Sequence, residues 1–262
     1  MSYRIKVGSK STPTDETQLL NRMERFAFLV QEHRQGILAG LTVLLVAVAA
    51  VAAVIWVDHR NAEQALKLHG QAMRFYLDRP TDQRIKADEN LKQAINVFRQ
   101  LMEQYPRVPS APLTLYHLGN ALVQANDLGG AIEAYKKFIA SYGANRTLLG
   151  LVYQRLGYAY LLNGDRDQTA KAFSAVLDVA GASNKDHALF ELGKLEETQS
   201  RPEGALARYQ ELMKGYPNSP LASEAAVRIK ALQVKRDHES GVAEGQEGKT
   251  PSPKPEPRKS GK

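Results

Sequence analysis

Three stretches of this chain align with one another, and that repetition restricts the fold more than any other feature. LYHLGNALVQANDLGGAIEAYKKFIASYG begins at Leu115, YQRLGYAYLLNGDRDQTAKAFSAVLDVAG at Tyr153 and LFELGKLEETQSRPEGALARYQELMKGYP at Leu189. Each opens on a Leu-Gly pair (Leu118-Gly119, Leu156-Gly157, Leu192-Gly193), continues to a small residue (Ala131, Thr169, Ala205) and then to an aromatic (Tyr135, Phe173, Tyr209). Turn residues at Asn126-Asp127, Asn163-Gly164 and Arg201-Pro202 cut each stretch in two. Others at Tyr105-Pro106, Gly143, Gly181 and Tyr216-Pro217 separate the stretches. Each unit therefore reads as two antiparallel helices, A and B. The glycine of A admits B, the small residue of B fills the same close contact, and the aromatic wedges into the next unit. Phe98, in AINVFRQLMEQYP, stands one period before Tyr135 and adds a degenerate unit, and LASEAAVRIKALQ from Leu221 reads as the terminal helix that such an array requires.

A second feature is the run ILAGLTVLLVAVAAVAAVIWV at residues 37–57, which carries no charge. As a helix rising about 1.5 Å per residue it is roughly 31 Å long, the thickness of a bilayer's hydrocarbon core. A lone span in lipid must satisfy its backbone internally, so a helix is the form expected. The run starts too late and is too long for a cleaved signal peptide, so it reads as an uncleaved anchor. Trp56 stands at an interfacial position, with Arg34 and Arg60 flanking the ends. Before the run lie Arg4, Lys6, Lys10, Arg22, Arg25 and Arg34 in a short segment, which favours a cytoplasmic N-terminus. Asp15 and Gln18 can form a capping box for an amphipathic helix presenting Leu19, Met23, Phe26, Ala27 and Val30.

The repeat residues resemble the tetratricopeptide repeat (TPR), whose usual period is about 34 residues; the units here are slightly longer, with the excess in the turns between them. The resemblance implies an all-α chain: one N-terminal transmembrane helix followed by a TPR-type α-solenoid of three to four helix-turn-helix units. The domain boundaries expected are a cytoplasmic N-terminal segment at 1–36, the transmembrane helix at 37–57, a juxtamembrane helix and linker at 58–86, the TPR domain with its capping helix at 87–233, and a disordered, basic, Pro-rich tail at 234–262. In the TPR family partners are held by A-helix residues on the concave face. Carried onto this sequence, that implies a partner-binding surface of Tyr116, Asn120, Gln154, Tyr158, His187, Phe190 and Lys194. Tyr116, Tyr158 and Phe190 would be anchors and Asn120, Gln154 and Lys194 would fix orientation, while Leu115, Leu118, Leu122, Leu156, Tyr160 and Leu192 would face helix B. The double-lysine clamp for acidic chain termini is absent from these positions.

Signatures of catalysis do not appear. The histidines (His33, His59, His69, His117, His187, His238) lack ligand spacing, and there is neither a phosphate loop nor a nucleophile elbow. Zero cysteines exclude disulfides, thiolate metal sites and a lipid-bearing thiol. The sequence therefore predicts no enzyme, no cofactor, no metal and no small-molecule substrate. The net charge of +7 suits work beside anionic lipids, and no basic stripe interleaved with aromatics points to nucleic acid.

Amphipathic segment, anchor and immediate helical entry into TPR units together look like the YfgM-type bacterial inner-membrane TPR family. That resemblance implies an N-in signal-anchor, a periplasmic TPR domain, and association with the Sec translocon and periplasmic chaperones. The alternatives are a coordinator of cell-envelope assembly or division, and an adaptor that binds anionic lipid or nucleic acid through its basic tail.

Overall fold

In the computed structural model, Glu24 and residues 26–247 are described, with side-chain surroundings up to residue 238. The capping box at Asp15 and most of the amphipathic segment lie outside the described residues; 26–32 are helical and expose Phe26, Phe28 and Leu29. The described residues are all-α, with no strand. Helix α1 is Arg34–Leu77, α2 Arg84–Gln104, α3 Ala111–Gln124, α4 Leu128–Tyr142, α5 Arg146–Leu162, α6 Arg166–Asp178, α7 Lys185–Thr198, α8 Pro202–Gly215 and α9 Ala222–Glu247. The chain divides into two units, residues 1–61 and 62–262.

In the first unit, α1 carries an apolar window long enough to cross a membrane, none of it buried inside the chain. Trp56 stacks beneath the guanidinium of Arg60 at 5.4 Å, a cation–π contact one turn along the helix.

In the second unit the helices pair in sequence: α3 with α4, α5 with α6, and α7 with α8, closed by α9. Turns inside these pairs place Asn126, Gly164 and Ser200 at φ of 60°, 80° and 55°. An Asn, a Gly and a Ser thus meet the same left-handed requirement. The B helices that follow are capped in register. Asp127 accepts from the Gly130 N–H and Asp165 from the Gln168 N–H. At the third equivalent position, Arg201 offers no acceptor, and Pro202 in the first turn removes one donor that would need it.

The closest A–B contact differs from the one expected. A Cβ built on Gly119 would lie 2.4 Å from the Tyr135 ring, on Gly157 2.9 Å from Phe173, and on Gly193 2.5 Å from Tyr209. The aromatic of B therefore lies against the glycine of A in its own unit, the position expected for the small residue of B, while Phe173 also packs with Ala188 and Leu192 of the next unit and Tyr209 with Ala225 of the capping helix. All three rings are fully buried. Two reach through with their hydroxyls: Tyr135 donates to Asn120 Oδ1 at 2.8 Å and Tyr209 to Glu197 Oε1 at 2.5 Å.

The packed array begins earlier than residue 87. Ala65, His69 and Ala72 of α1 are buried in the same core as Ala94, Phe98 and Leu101 of α2. Tyr105 donates to Gln64 at 2.6 Å, and Asn90 donates to the carbonyl of Asp78 at 2.5 Å. Residues 62–77 thus take the place of helix A of the degenerate unit, with fully buried Ala72 in one core with Phe98. At the other end α9 remains helical to Glu247, past residue 234 where the sequence suggested that order stops; residues 248–262 lie outside the described residues.

Candidate functional site

A pocket of about 360 Å³ opens where three successive A helices converge. Tyr76 comes from α1, Asn120, Val123 and Gln124 from α3, and Arg155, Tyr158, Leu161 and Leu162 from α5, with Tyr135 behind them. Leu161 and Leu162 stay 41% and 62% exposed and form an apolar wall. The opposite side is polar and connected. Gln124 donates to the Tyr76 hydroxyl at 2.6 Å and accepts a hydrogen bond from the Arg79 guanidinium. Arg155 Nε lies 3.5 Å from the Tyr116 hydroxyl. The Nε of Arg79 is buried without a hydrogen-bond partner.

The residues expected at the concave face separate into three groups. Asn120 and Tyr158 line this pocket, and Tyr116 adjoins it through its contact with Arg155. Asn120 already accepts from Tyr135, and Tyr158 sets its ring edge-on to Phe173, centroids 5.3 Å apart. Gln154 and His187 form a second, adjacent cluster. Gln154 accepts from Asn184 at 2.7 Å, and His187 meets the Tyr158 ring at 6.0 Å, its Nδ1 lying 3.4 Å from the hydroxyl. Beyond them Lys194 pairs with Glu191 at 3.1 Å. Burial pushes the Tyr158 phenol upward, and Glu191 adds to the shift. Phe190 is a correction: it is only 4% exposed and belongs to the core with Leu189, Tyr209, Leu212 and Ala225. The cause is the capping helix. α9 lays Arg228 over the Phe190 ring at 5.4 Å, covering in the last unit a position that stays open in an inner one.

Sequence reasoning missed Arg155, Tyr76, Gln124 and Arg79. Arg155 does carry a signal, being the sole charge between Leu148 and Leu162 of α5. Tyr76 could not be placed without knowing that α1 supplies the first helix A.

Beside the groove, His69 and His117 face each other with centroids 5.7 Å apart. The Thr114 hydroxyl donates to the Ser110 carbonyl, so the Nδ1–H of His69 donates to Thr114, at 3.0 Å. Burial lowers the pKa of both imidazoles, that of His117 to about 4 with His69 contributing, and both are neutral at pH 7. Among the described residues no cluster could hold a metal ion. A larger recess of about 700 Å³ lies between α9 and the α7–α8 turn, but its Arg228 is already neutralised by Glu197 and Glu224 at 3.2 and 3.0 Å.

Residues 80–243 match the family YfiO, described as outer membrane lipoprotein. The chain belongs to the YfiO family. No curated protein matches this YfiO-family sequence significantly. Among solved structures, a putative kinesin light chain of Podosopora anserina with nearly identical TPR-like repeats is 12% identical, with a TM-score of 0.50 over 70% of this chain and 92% of that one. A tetratricopeptide repeat protein from Parabacteroides merdae is 16% identical with a TM-score of 0.48, covering 65% and 62%. BtubC from P. vanneervenii is 11% identical with a TM-score of 0.48, covering 78% and 98%. The first likeness supports the TPR-type solenoid and says nothing of partners. YfiO-like and TPR domains are protein-interaction scaffolds, and that coarse function applies to this member.

Proposed function

We propose that this YfiO-family protein is a non-catalytic scaffold of the bacterial envelope. The helix through residues 37–57 anchors it in the inner membrane, with residues 1–36 cytoplasmic and the TPR array periplasmic, and the array holds a partner protein along its concave face. The reading rests above all on the convergence of three A helices on one pocket that combines aromatic, apolar and cationic groups, the make-up of a protein-binding surface. The anchor follows from the uncovered apolar window of α1, and the orientation from the cations crowded into the short segment before it. With no cysteine, this sequence has no thiol to carry a lipid, so the helix takes over attachment.

A role in envelope assembly is favoured by the YfiO match. A role beside the Sec translocon and periplasmic chaperones draws on the YfgM-like layout. Domain limits consistent with the packed core are an array from Ala62 to the end of α9.

Alkaline phosphatase, which is active only outside the cytoplasm, should be active when fused after Val242; an inactive phosphatase there, with a folded cytoplasmic reporter at the same point, refutes the topology. For the groove, Tyr116→Ala with Leu161→Ala should strip co-purifying partners from the full chain without lowering its melting temperature. Retention of every partner would move the interface elsewhere.

A further inference from the structure

We propose that the pocket between α1, α3 and α5 recognises an acidic side chain, aspartate or glutamate, within a segment of the partner that also presents an apolar residue. The inference rests on the concave-face reading above and specifies its ligand.

Its basis is an imbalance of charge. Arg155 and Arg79 flank the Tyr76–Gln124 pair, and both guanidiniums act on the Tyr76 phenol. Among the described residues neither forms an ion pair with a carboxylate. This contrasts with the other groove-side cations: Lys194 is paired with Glu191, and Arg228 with Glu197 and Glu224. No acidic residue lines the pocket. Glu191, which acts on the Tyr158 phenol, is occupied by Lys194, and Asp78, the neighbour of Arg79 in sequence, by Asn90. The Arg155 guanidinium, set among phenols and amides in the pocket lining, is a fork already positioned for a carboxylate, while Arg79 adds positive charge from behind Gln124.

The remaining lining selects the neighbour of that carboxylate. Leu161 and Leu162, further along the helix that carries Arg155, and Val123 supply apolar lining, so a Leu or Ile side chain beside the acid would be covered as the acid is bound. Because the lining comes from three successive A helices, the pocket sits on a continuous groove rather than in a blind end. That geometry fits a side chain presented by a passing segment, not the terminal carboxylate of a chain.

The test uses the full chain in detergent and a short labelled peptide, acetylated and amidated so that only side chains are charged, with two glutamates each flanked by leucine. Fluorescence anisotropy should show saturable binding that weakens as salt is raised. Replacing both glutamates by glutamine should weaken it about tenfold or more, and Arg155→Gln should do the same to the glutamate peptide. Arg155→Lys should recover only part of the loss, since it keeps charge but not the fork. Equal binding of the glutamate and glutamine peptides by the unaltered chain overturns the proposal, and this arm does not depend on any variant folding. Binding only when the peptide's terminal carboxylate is left free, or displacement by millimolar inorganic phosphate as effective as by unlabelled peptide, also overturns it. If Tyr116→Ala with Leu161→Ala releases the natural partner while Arg155→Gln does not, the concave-face reading stands and the acidic ligand falls. Retention of the partner by both variants refutes both.

Discussion

Placing an alanine at Gly119 puts a methyl group where the Tyr135 ring already lies. The new Cβ would sit 2.4, 2.6 and 2.8 Å from three ring atoms, against an ordinary carbon–carbon contact of about 3.5–4 Å. Relief requires the ring to retreat by roughly 1 Å. It cannot do so freely, because Tyr135 is fully buried and its hydroxyl is held by Asn120. Overpacking of this kind costs about 1–3 kcal/mol and occasionally more. With three atoms in conflict the upper end applies, and the better helix propensity of alanine returns about 1 kcal/mol, leaving a net loss of about 2 kcal/mol. Gly193→Ala should behave alike, since its Cβ would lie 2.5 Å from Tyr209, itself tied to Glu197. Gly157→Ala should cost less, about 1 kcal/mol or under, because the distances are 2.9 to 3.0 Å and Phe173 has no hydroxyl to hold it in place. Gly129→Ala, with open space at its Cβ, should be neutral or stabilise by up to about 1 kcal/mol. Urea unfolding of residues 62–262, followed by far-UV circular dichroism, reads the series. Adding Tyr135→Leu to Gly119→Ala should recover part of the loss. If Gly119→Ala is as stable as Gly129→Ala, the ring-on-glycine contact is not what sets the spacing of the helix pairs.

A fragment starting at residue 85 should be less stable than one starting at residue 62 by at least about 3 kcal/mol in urea, because it uncovers Phe98 and Leu91, and burying each such side chain is worth about 1.5–3 kcal/mol; equal midpoints would show that 62–77 is only a linker. Stability should also fall on acidification. With the folded pKa of His117 at about 4, below the unfolded value near 6.5, the unfolded chain takes up the proton first. Stability is therefore complete above about pH 6.5 and declines toward pH 4, by about 2 kcal/mol at pH 5. His117→Phe keeps a ring against Phe98 and should remove that part of the slope, whereas an unchanged difference between pH 8 and pH 5 would show that the pair does not titrate as argued.

The inner repeats were legible because their defining contact uses three residue types at fixed spacing, and the same contact recurs at Gly119, Gly157 and Gly193. The first unit was only half legible. Phe98 betrayed its B helix, but the A helix carries no Leu-Gly pair and follows the apolar run of α1 without a turn residue to mark a beginning. Within the groove, position counting treats every unit as equivalent. That fails at Phe190, where the covering surface comes from α9, a helix outside the repeat pattern. Arg155 escaped for the opposite reason: it stands next to Gln154, one residue off the counted positions, and reaches the pocket through the length of its side chain.

The buried hydroxyl of Tyr135 holds Asn120, so the mortar between helices and the face offered to a partner are joined by one hydrogen bond. Where the wedge is Phe173, there is no hydroxyl to hold an A-helix side chain, and its ring meets the edge of Tyr158 instead. A single exchange of tyrosine for phenylalanine at a wedge would therefore repaint the groove while leaving its walls standing. Partner choice in such an array could drift by changes in the core, with no surface residue replaced.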